Sequence, residues 1–279
     1  MNWQDPPYTV YKSCNLQSPS LLTGFNNEIG NIAGIAFQTI GVVSGRNRLG
    51  ALKLNDFFLF NGVRVEDSVI LFPECDFYTY DSGNMLLFMG DAPNKEPFDY
   101  CNAILDFAVK QCRVEEVITI GGFISPICHT SPRRVFGTVT KPELRMFLTP
   151  YDINVDVNYH TPPSGPRPSL NHFLLWAAKM REIPGYSLWV EVPFYLANLK
   201  DPFGAKAMLE VLDKRFVLGL DYTEIEEKVS QLNKKITDLM NQNSDVNRFI
   251  KLLDQGIALS HEESENLARA VLSHLKRVN

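Results

Sequence analysis

The feature that most restricts how this chain can fold is a change of hydrophobic period that occurs twice. Between Phe98 and Arg113, apolar residues fall at Ile104, Leu105, Ala108, Val109 and Cys112, the spacing of an amphipathic helix. Val117-Ile118-Thr119-Ile120 then runs apolar and β-branched into Gly121-Gly122. The helical spacing returns from Ser169 to Arg181, with Leu170, Phe173, Leu174, Ala177 and Ala178 inward, and Ile183-Pro184-Gly185-Tyr186 turns into an apolar run, Ser187 to Val192. A helix followed by a short, continuously apolar strand is half of a crossover unit, and strands joined in this way are normally buried on both faces. Two such units, with strands elsewhere, predict an α/β protein whose mixed sheet carries helices on both sides.

The strands elsewhere lie between Asn55 and Gly90. Phe57–Phe60, Ser68–Phe72, Phe77–Tyr80 and Asn84–Met89 are separated by Asn61-Gly62, Pro73-Glu74 and Asp81-Ser82-Gly83, which read as turns of a meander. Ahead of them, residues 26–43 read as a loop entering a buried helix, with Ile32, Ile35, Ala36 and Ile40 on one face. The Pro-rich piece 161–168 reads as a rim loop, since core-like segments flank it.

Beyond Asp201 the pattern is helical, with good helix formers from Ala205 to Leu212 and no proline after Pro202. Ile225, Val229, Leu232, Ile236, Leu239, Val246, Ile250, Leu253 and Ile257 recur in steps of mostly four and three, a heptad-like stripe that asks for another helix or a second molecule. Asn243 interrupts it and favours a helical hairpin over one long rod, with Ser244 or Asp245 capping the second arm. Ser260-His261-Glu262-Glu263 has the form of a capping box opening a last helix, whose apolar face is Ala268, Val271, Leu272 and Leu275. The expected division is a core over residues 1–220 and a helical segment over 221–279.

Composition removes several function classes. The chain of 279 residues is 45% hydrophobic and 21% charged, and its net charge of −5 argues against binding that rests on neutralising nucleic-acid phosphates. No apolar run reaches the length of a membrane span, and no basic patch followed by an apolar stretch opens the sequence, so a cytoplasmic location is expected. Five cysteines, Cys14, Cys75, Cys101, Cys112 and Cys128, are scattered without any Cys-x-x-Cys pair, which predicts mostly buried, reduced thiols and neither a disulfide framework nor a zinc site.

The segment most like a functional loop is Gly121 to Arg134, at the carboxyl end of a buried strand, where open α/β sheets usually hold ligands. Gly121 and Gly122 would let backbone amides approach an anion, and Arg133, with Arg134 beside it, would grip a carboxylate or phosphate. Glu191, at the end of the later strand, is a carboxylate whose pKa a crevice would raise unless Arg133, Arg134 or a helix terminus pairs with it. Ser125 has no Gly-x-Ser-x-Gly elbow around it. Cys128 and His129 would point to opposite faces of an extended segment, leaving His129 a structural hydrogen-bonding role or a place at the ligand edge. His160 and His172 lack companion ligands at metal spacing. Asp152, Asn154 and Asp156 lack the glycine and distal glutamate of a calcium loop and read as a solvated strand face. No phosphate-loop or dinucleotide fingerprint occurs, so no cofactor is expected.

Three motifs in order resemble one family: Phe25-Asn26-Asn27-Glu28-Ile29-Gly30-Asn31-Ile32-Ala33; Ile118-Thr119-Ile120-Gly121-Gly122-Phe123 with His129-Thr130-Ser131-Pro132; and Ile183 to Tyr195. Together with Leu220 to Glu227 they make residues 20–255 similar to the proteasome assembly chaperone family of the second type, whose archaeal and bacterial members are also labelled "ATP-grasp-like". The first motif carries Asn26-Asn27-Glu28 where that family has Trp-Pro-Asp. The resemblance implies a three-layer α/β/α domain similar to nucleoside phosphorylases, with a helical segment attached, that assembles as a homo-oligomer and guides protein partners, proteasome α-subunits among them, without chemistry. On that reading Ile225, Val229, Leu232, Ile236 and Leu239 face another copy or a partner, and the 121–134 loop is presented to it. The competing expectation is an enzyme or binding protein for a small anionic or nucleoside-like ligand, held at the strand ends by Gly121, Gly122, His129, Arg133, Arg134 and Glu191. A purely structural role in an oligomer is the third.

Overall fold

The computed structural model describes residues 5–41, 47–66, 68–155 and 169–277, so the Pro-rich stretch 161–168, Asp156 and His160 lie outside the described residues. The strands are β1 (Tyr8–Val10), β2 (Ser20–Phe25), β3 (Arg48–Leu52), β4 (Arg64–Glu66), β5 (Val69–Leu71), β6 (Cys75–Tyr80), β7 (Met85–Gly90), β8 (Glu116–Ser125), β9 (Val135–Val139) and β10 (Gly185–Pro193). The α-helices are α1 (Ile32–Thr39), α2 (Pro97–Cys112), α3 (Leu170–Met180), α4 (Pro202–Phe216), α5 (Thr223–Gln242), α6 (Ser244–Asp254) and α7 (His261–Arg277). Eight strands form one sheet in the order β1-β3-β6-β7-β2-β8-β10-β9. Its centre, β7-β2-β8-β10, is parallel, and the flanking pairs are antiparallel.

Period two along the central strands separates two cores. Leu22, Ile118, Ile120, Leu188 and Val190 face α1, α4 and the C-terminal helices, whereas Leu21, Leu86, Phe88 and Val117 face α2 and α3. Helices therefore cover both faces, and every residue of β10 is buried, as a two-sided parallel strand requires. The buried side chains of α5, α6 and α7 are continuous with the first core, so residue 220 divides the chain by element type rather than by core.

Several expectations are corrected here. The run Phe57–Phe60 is not a strand: Phe57 closes a helical turn on the Leu54 carbonyl, and its buried ring meets Tyr100 edge-on at 5.3 Å, while Phe60 is 93% exposed. With no ladder beside it, the run is held by the Phe57 and Phe58 rings against Tyr100 and by hydrogen bonds to Asn94 and Lys95. Residues 68–72 contribute β5, which pairs with β4 in a separate two-stranded sheet rather than in the meander. Cys14 and Cys112, 98 residues apart, form a disulfide with a Cα–Cα distance of 5.4 Å. Only Cys75, Cys101 and Cys128 are free and buried, because folding brings together two cysteines that no local motif links.

The heptad-like stripe meets the chain's own helices. Ile225, Ile236 and Leu239 are buried in the first core, and Val229 and Leu232 are half-buried, so the stripe is largely satisfied within one chain and the seam reading is corrected for the three buried residues. The corner falls at Asn243, but Asn243 itself is the cap: its side chain accepts from the amides of Asp245 (3.1 Å) and Val246 (3.2 Å). Asn243→Ala is therefore expected to cost about 1 kcal/mol, read as a lower denaturant midpoint at unchanged slope. The capping box at Ser260 forms in both directions with Glu263, at 3.0 and 3.3 Å.

Candidate functional site

The carboxyl edge of the parallel strands gathers the loops after β2, β8 and β10. β2 leads through α1 toward β3 on one side and β8 leads toward β9 and β10 on the other, so β2 and β8 flank a switch point, where open α/β sheets leave a crevice. Gly121 and Gly122 lie inside β8, which continues to Ser125, and this corrects their reading as the start of the loop beyond the strand. They are needed for close approach: a Cβ on Gly122 would strike the Ile29 carbonyl, and one on Gly121 would lie 2.6 Å from a Glu28 carboxylate oxygen.

Residues 126–134 form the connection from β8 to β9. The segment turns rather than extends, with the Ser131 amide bonded to the Cys128 carbonyl, so Cys128 Sγ and His129 Nδ1 meet at 3.6 Å instead of pointing apart. Both residues are buried, and Tyr195 holds His129 twice, its hydroxyl accepting from the His129 amide at 2.7 Å and lying 3.0 Å from Nδ1. Burial, helped by the nearby Arg133 cation, pushes the imidazole down to about 4, so it is neutral at pH 7.

The Arg133 side chain is fully buried, and both terminal nitrogens bond internally while Nε has no hydrogen-bond partner among the described residues. It donates to the carbonyls of Cys128 (3.0 Å), Ser131 (2.9 Å) and His129 (3.2 Å) and pairs with Asp201 at 3.3 Å. Burial raises the Asp201 carboxyl and Arg133 opposes that rise. Asp201 also caps α4 through the Gly204 amide, and its own amide reaches the Gly30 carbonyl, so one ion pair ties three loops together. The anion-gripping reading of Arg133 is corrected on this geometry.

Arg134, two-thirds exposed, closes a fork on Glu191 at 2.8 and 2.7 Å, and Ser125 donates to the same carboxylate at 3.0 Å. Burial alone would raise the Glu191 carboxyl, but Arg134 and Ser125 outweigh it and hold the group below its usual range. His129 with Arg133 thus forms one brace, Arg134 with Glu191 a second, and the glycines lie beneath a different residue.

That residue is Glu28, which sequence reasoning passed over as a candidate. The left-handed backbone of Asn27, Gly30 and Asn31 folds the β2–α1 connection back over the sheet and places the Glu28 carboxyl above Gly121. Asn171, at the start of α3, donates from Nδ2 to Glu28 (3.3 Å) and to the Ile120 carbonyl (3.4 Å), while its buried Oδ1 has no partner among the described residues. Burial pushes Glu28 up to about 8, with Asn171 opposing. On the same face of the sheet, the hydroxyls of Thr23, Thr119 and Ser187 form a buried row, with Thr119 donating to Ser187 at 2.7 Å. The signal that was available is the acid three residues beyond β2, at the position where the family motif also carries an acid.

On the other side of the same connection lies a groove of about 1030 Å³ between the α/β core and the C-terminal helices. Asn27, Glu28 and Asn31 line it together with Lys200, Lys228, Lys235 and Lys276. Lys228 is paired with Glu224 at 2.6 Å, whereas Lys200 and Lys276 are exposed and make no ion pair among the described residues. In a chain of net charge −5 this groove is a local basic surface. Among the described residues no group of three or more His, Cys, Asp or Glu side chains is placed to hold a metal, and no helix is long and apolar enough to cross a membrane.

No curated protein matches the chain in sequence. Among solved structures it is similar to Pyrococcus furiosus PbaB, an archaeal proteasome activator, with 21% identity over 84% of this chain and 98% of that one at a TM-score of 0.67. A Mycobacterium tuberculosis protein of unknown function is 17% identical over 91% of this chain and 89% of its own, with a TM-score of 0.72. A PAC2 family protein from Streptomyces avermitilis is 20% identical over 83% and 99%, with a TM-score of 0.63. At these identities the likeness is one of fold. Residues 21–240, most of the chain, match the sequence model of the PAC2 family, and the protein is therefore a member of the PAC2 family.

Proposed function

We propose that this protein is a cytoplasmic binding protein of the proteasome-assembly-chaperone type, working as a homo-oligomer and acting on a protein partner without chemistry. The observation that carries this reading is the basic groove between the core and the C-terminal helices, which offers Lys200 and Lys276 to an acidic segment of another chain. The braces support it from the other direction, since Arg133 and Glu191 spend their charge inside the protein. Proteasome α-subunits are the partner that family membership brings forward.

Purified α-subunits passed over the immobilised protein are expected to be retained. Lys200→Glu with Lys276→Glu should weaken retention at least tenfold at low salt, where exposed charges are least screened. α-Subunits that flow through unretained, or bind the double variant equally well, would overturn the reading.

A second reading has an observation of its own. The unpartnered, buried Asn171 Oδ1 beside Glu28, at the switch point, is an acceptor that the amino or hydroxyl group of a small nucleoside-like ligand would satisfy. A rise in melting temperature with nucleosides that Asn171→Ala abolishes would favour it, and no shift at millimolar concentrations would remove it.

A further inference from the structure

The hairpin of β4 and β5 projects from the body and carries a strip of apolar side chains into water. Val65 (70% exposed) and Ile70 (57%) pair across the hairpin and share one face, with Phe60 (93%), Phe72 (65%) and Val63 near them, whereas Val69, paired with Glu66, lies on the opposite face. The base of the hairpin is fixed. Phe57 and Phe58 meet the Tyr100 ring edge-on, and Arg64 reaches the Asp91 carboxylate at 3.4 Å, which in turn accepts from the Glu74 amide. The hairpin is thus aimed rather than loosely tethered, and as a two-stranded sheet it leaves the outer edges of both strands without a neighbouring strand among the described residues.

With roughly 150–200 Å² for each large apolar side chain, Phe60, Val63, Val65, Ile70 and Phe72 expose roughly 500 Å², more than half of the ~800 Å² that each partner contributes to a standard stable interface. Along Leu59 to Phe72 the sequence places charge only at Arg64, Glu66 and Asp67. Surfaces that serve transient partners are about as polar as the rest of a protein, whereas the buried centres of homodimer interfaces are depleted in charge. An apolar strip of this size must be covered from synthesis onward, and the one partner always present in matching amount is another copy of the same chain.

We infer that the 59–72 hairpin is the surface through which copies of this chain associate, its apolar strip closing on a second copy. The inference rests on the homo-oligomer reading above and adds where the copies meet.

Size-exclusion chromatography with light scattering tests it on the full chain, with circular dichroism to monitor folding. The wild type is expected at a multiple of 31.6 kDa, and Phe60→Asp with Ile70→Lys at the single-chain mass with an unchanged spectrum. Val217→Asp, at an 84% exposed site elsewhere, should leave the multiple intact. If the double variant does not fold, Phe60→Ser alone should raise the dissociation midpoint at least tenfold. A folded variant that keeps the wild-type mass overturns the hairpin as the surface while leaving the oligomer in place. A wild type that runs as a single chain overturns both, as does one whose hairpin is covered only by a different protein.

Discussion

Arg133→Ala is expected to lower the free energy of unfolding by about 3–5 kcal/mol, because it leaves the buried Asp201 carboxylate without its cation and three loop carbonyls without their donor. For a chain of this size that is a fall in melting temperature of roughly 10 °C. The double variant Arg133→Ala with Asp201→Ala should lose less than the sum of the two single losses, since each single change strands a buried group that the other removes. Calorimetry on the four proteins measures this directly. A single variant within about 1 kcal/mol of the wild type would mean that the brace contributes little.

The second large effect is a pH dependence centred on Glu28. In the unfolded chain its carboxyl titrates near the ordinary 4.5, and in the folded protein burial moves it to about 8. Between those values the folded state holds a proton that the unfolded state has released, so stability falls as the pH rises from about 4.5 through about 8 and levels off above. The loss amounts to a few kcal/mol at most, because Glu28 keeps partial contact with solvent. Glu28→Gln keeps the shape and removes the titration. Urea unfolding between pH 5 and 9 should then show a flatter profile for the variant and the variant as the more stable protein at pH 9. Parallel profiles would place the titrating group elsewhere.

How far the fold could be read ahead varies by element. Both helix–strand units were legible because periods of 3.6 and of continuous apolarity are written locally, at 98–120 and 169–192. The corner at Asn243 was legible for the same reason, although which residue caps it depended on backbone angles that place the Asn243 side chain over the next two amides. β2 was not legible, despite lying at the centre of the sheet. Ser20 to Phe25 is six residues long and takes its strand character from the pairing of β7 and β8 on either side, not from any pattern of its own. Phe57 to Phe60 erred in the opposite direction, having the composition of a strand but no strand to pair with.

The site shows the same division more sharply. The residue types at the carboxyl edge were visible in the sequence, and so was the possibility that Glu191 pairs with an arginine. Which arginine it pairs with, and that the other is spent on Asp201, depends on residues 57 and 68 positions apart. Glu28 and Asn171 are separated by 143 positions. The sequence alone determined the alternation of helices and strands, the class of sheet and the absence of known catalytic motifs, because those follow from short-range periodicity and spacing. The tertiary structure decided which charges are neutralised, which carboxyl holds its proton and which apolar strips remain in water. Ion pairing and desolvation act over a few ångströms in space, and only folding sets those distances.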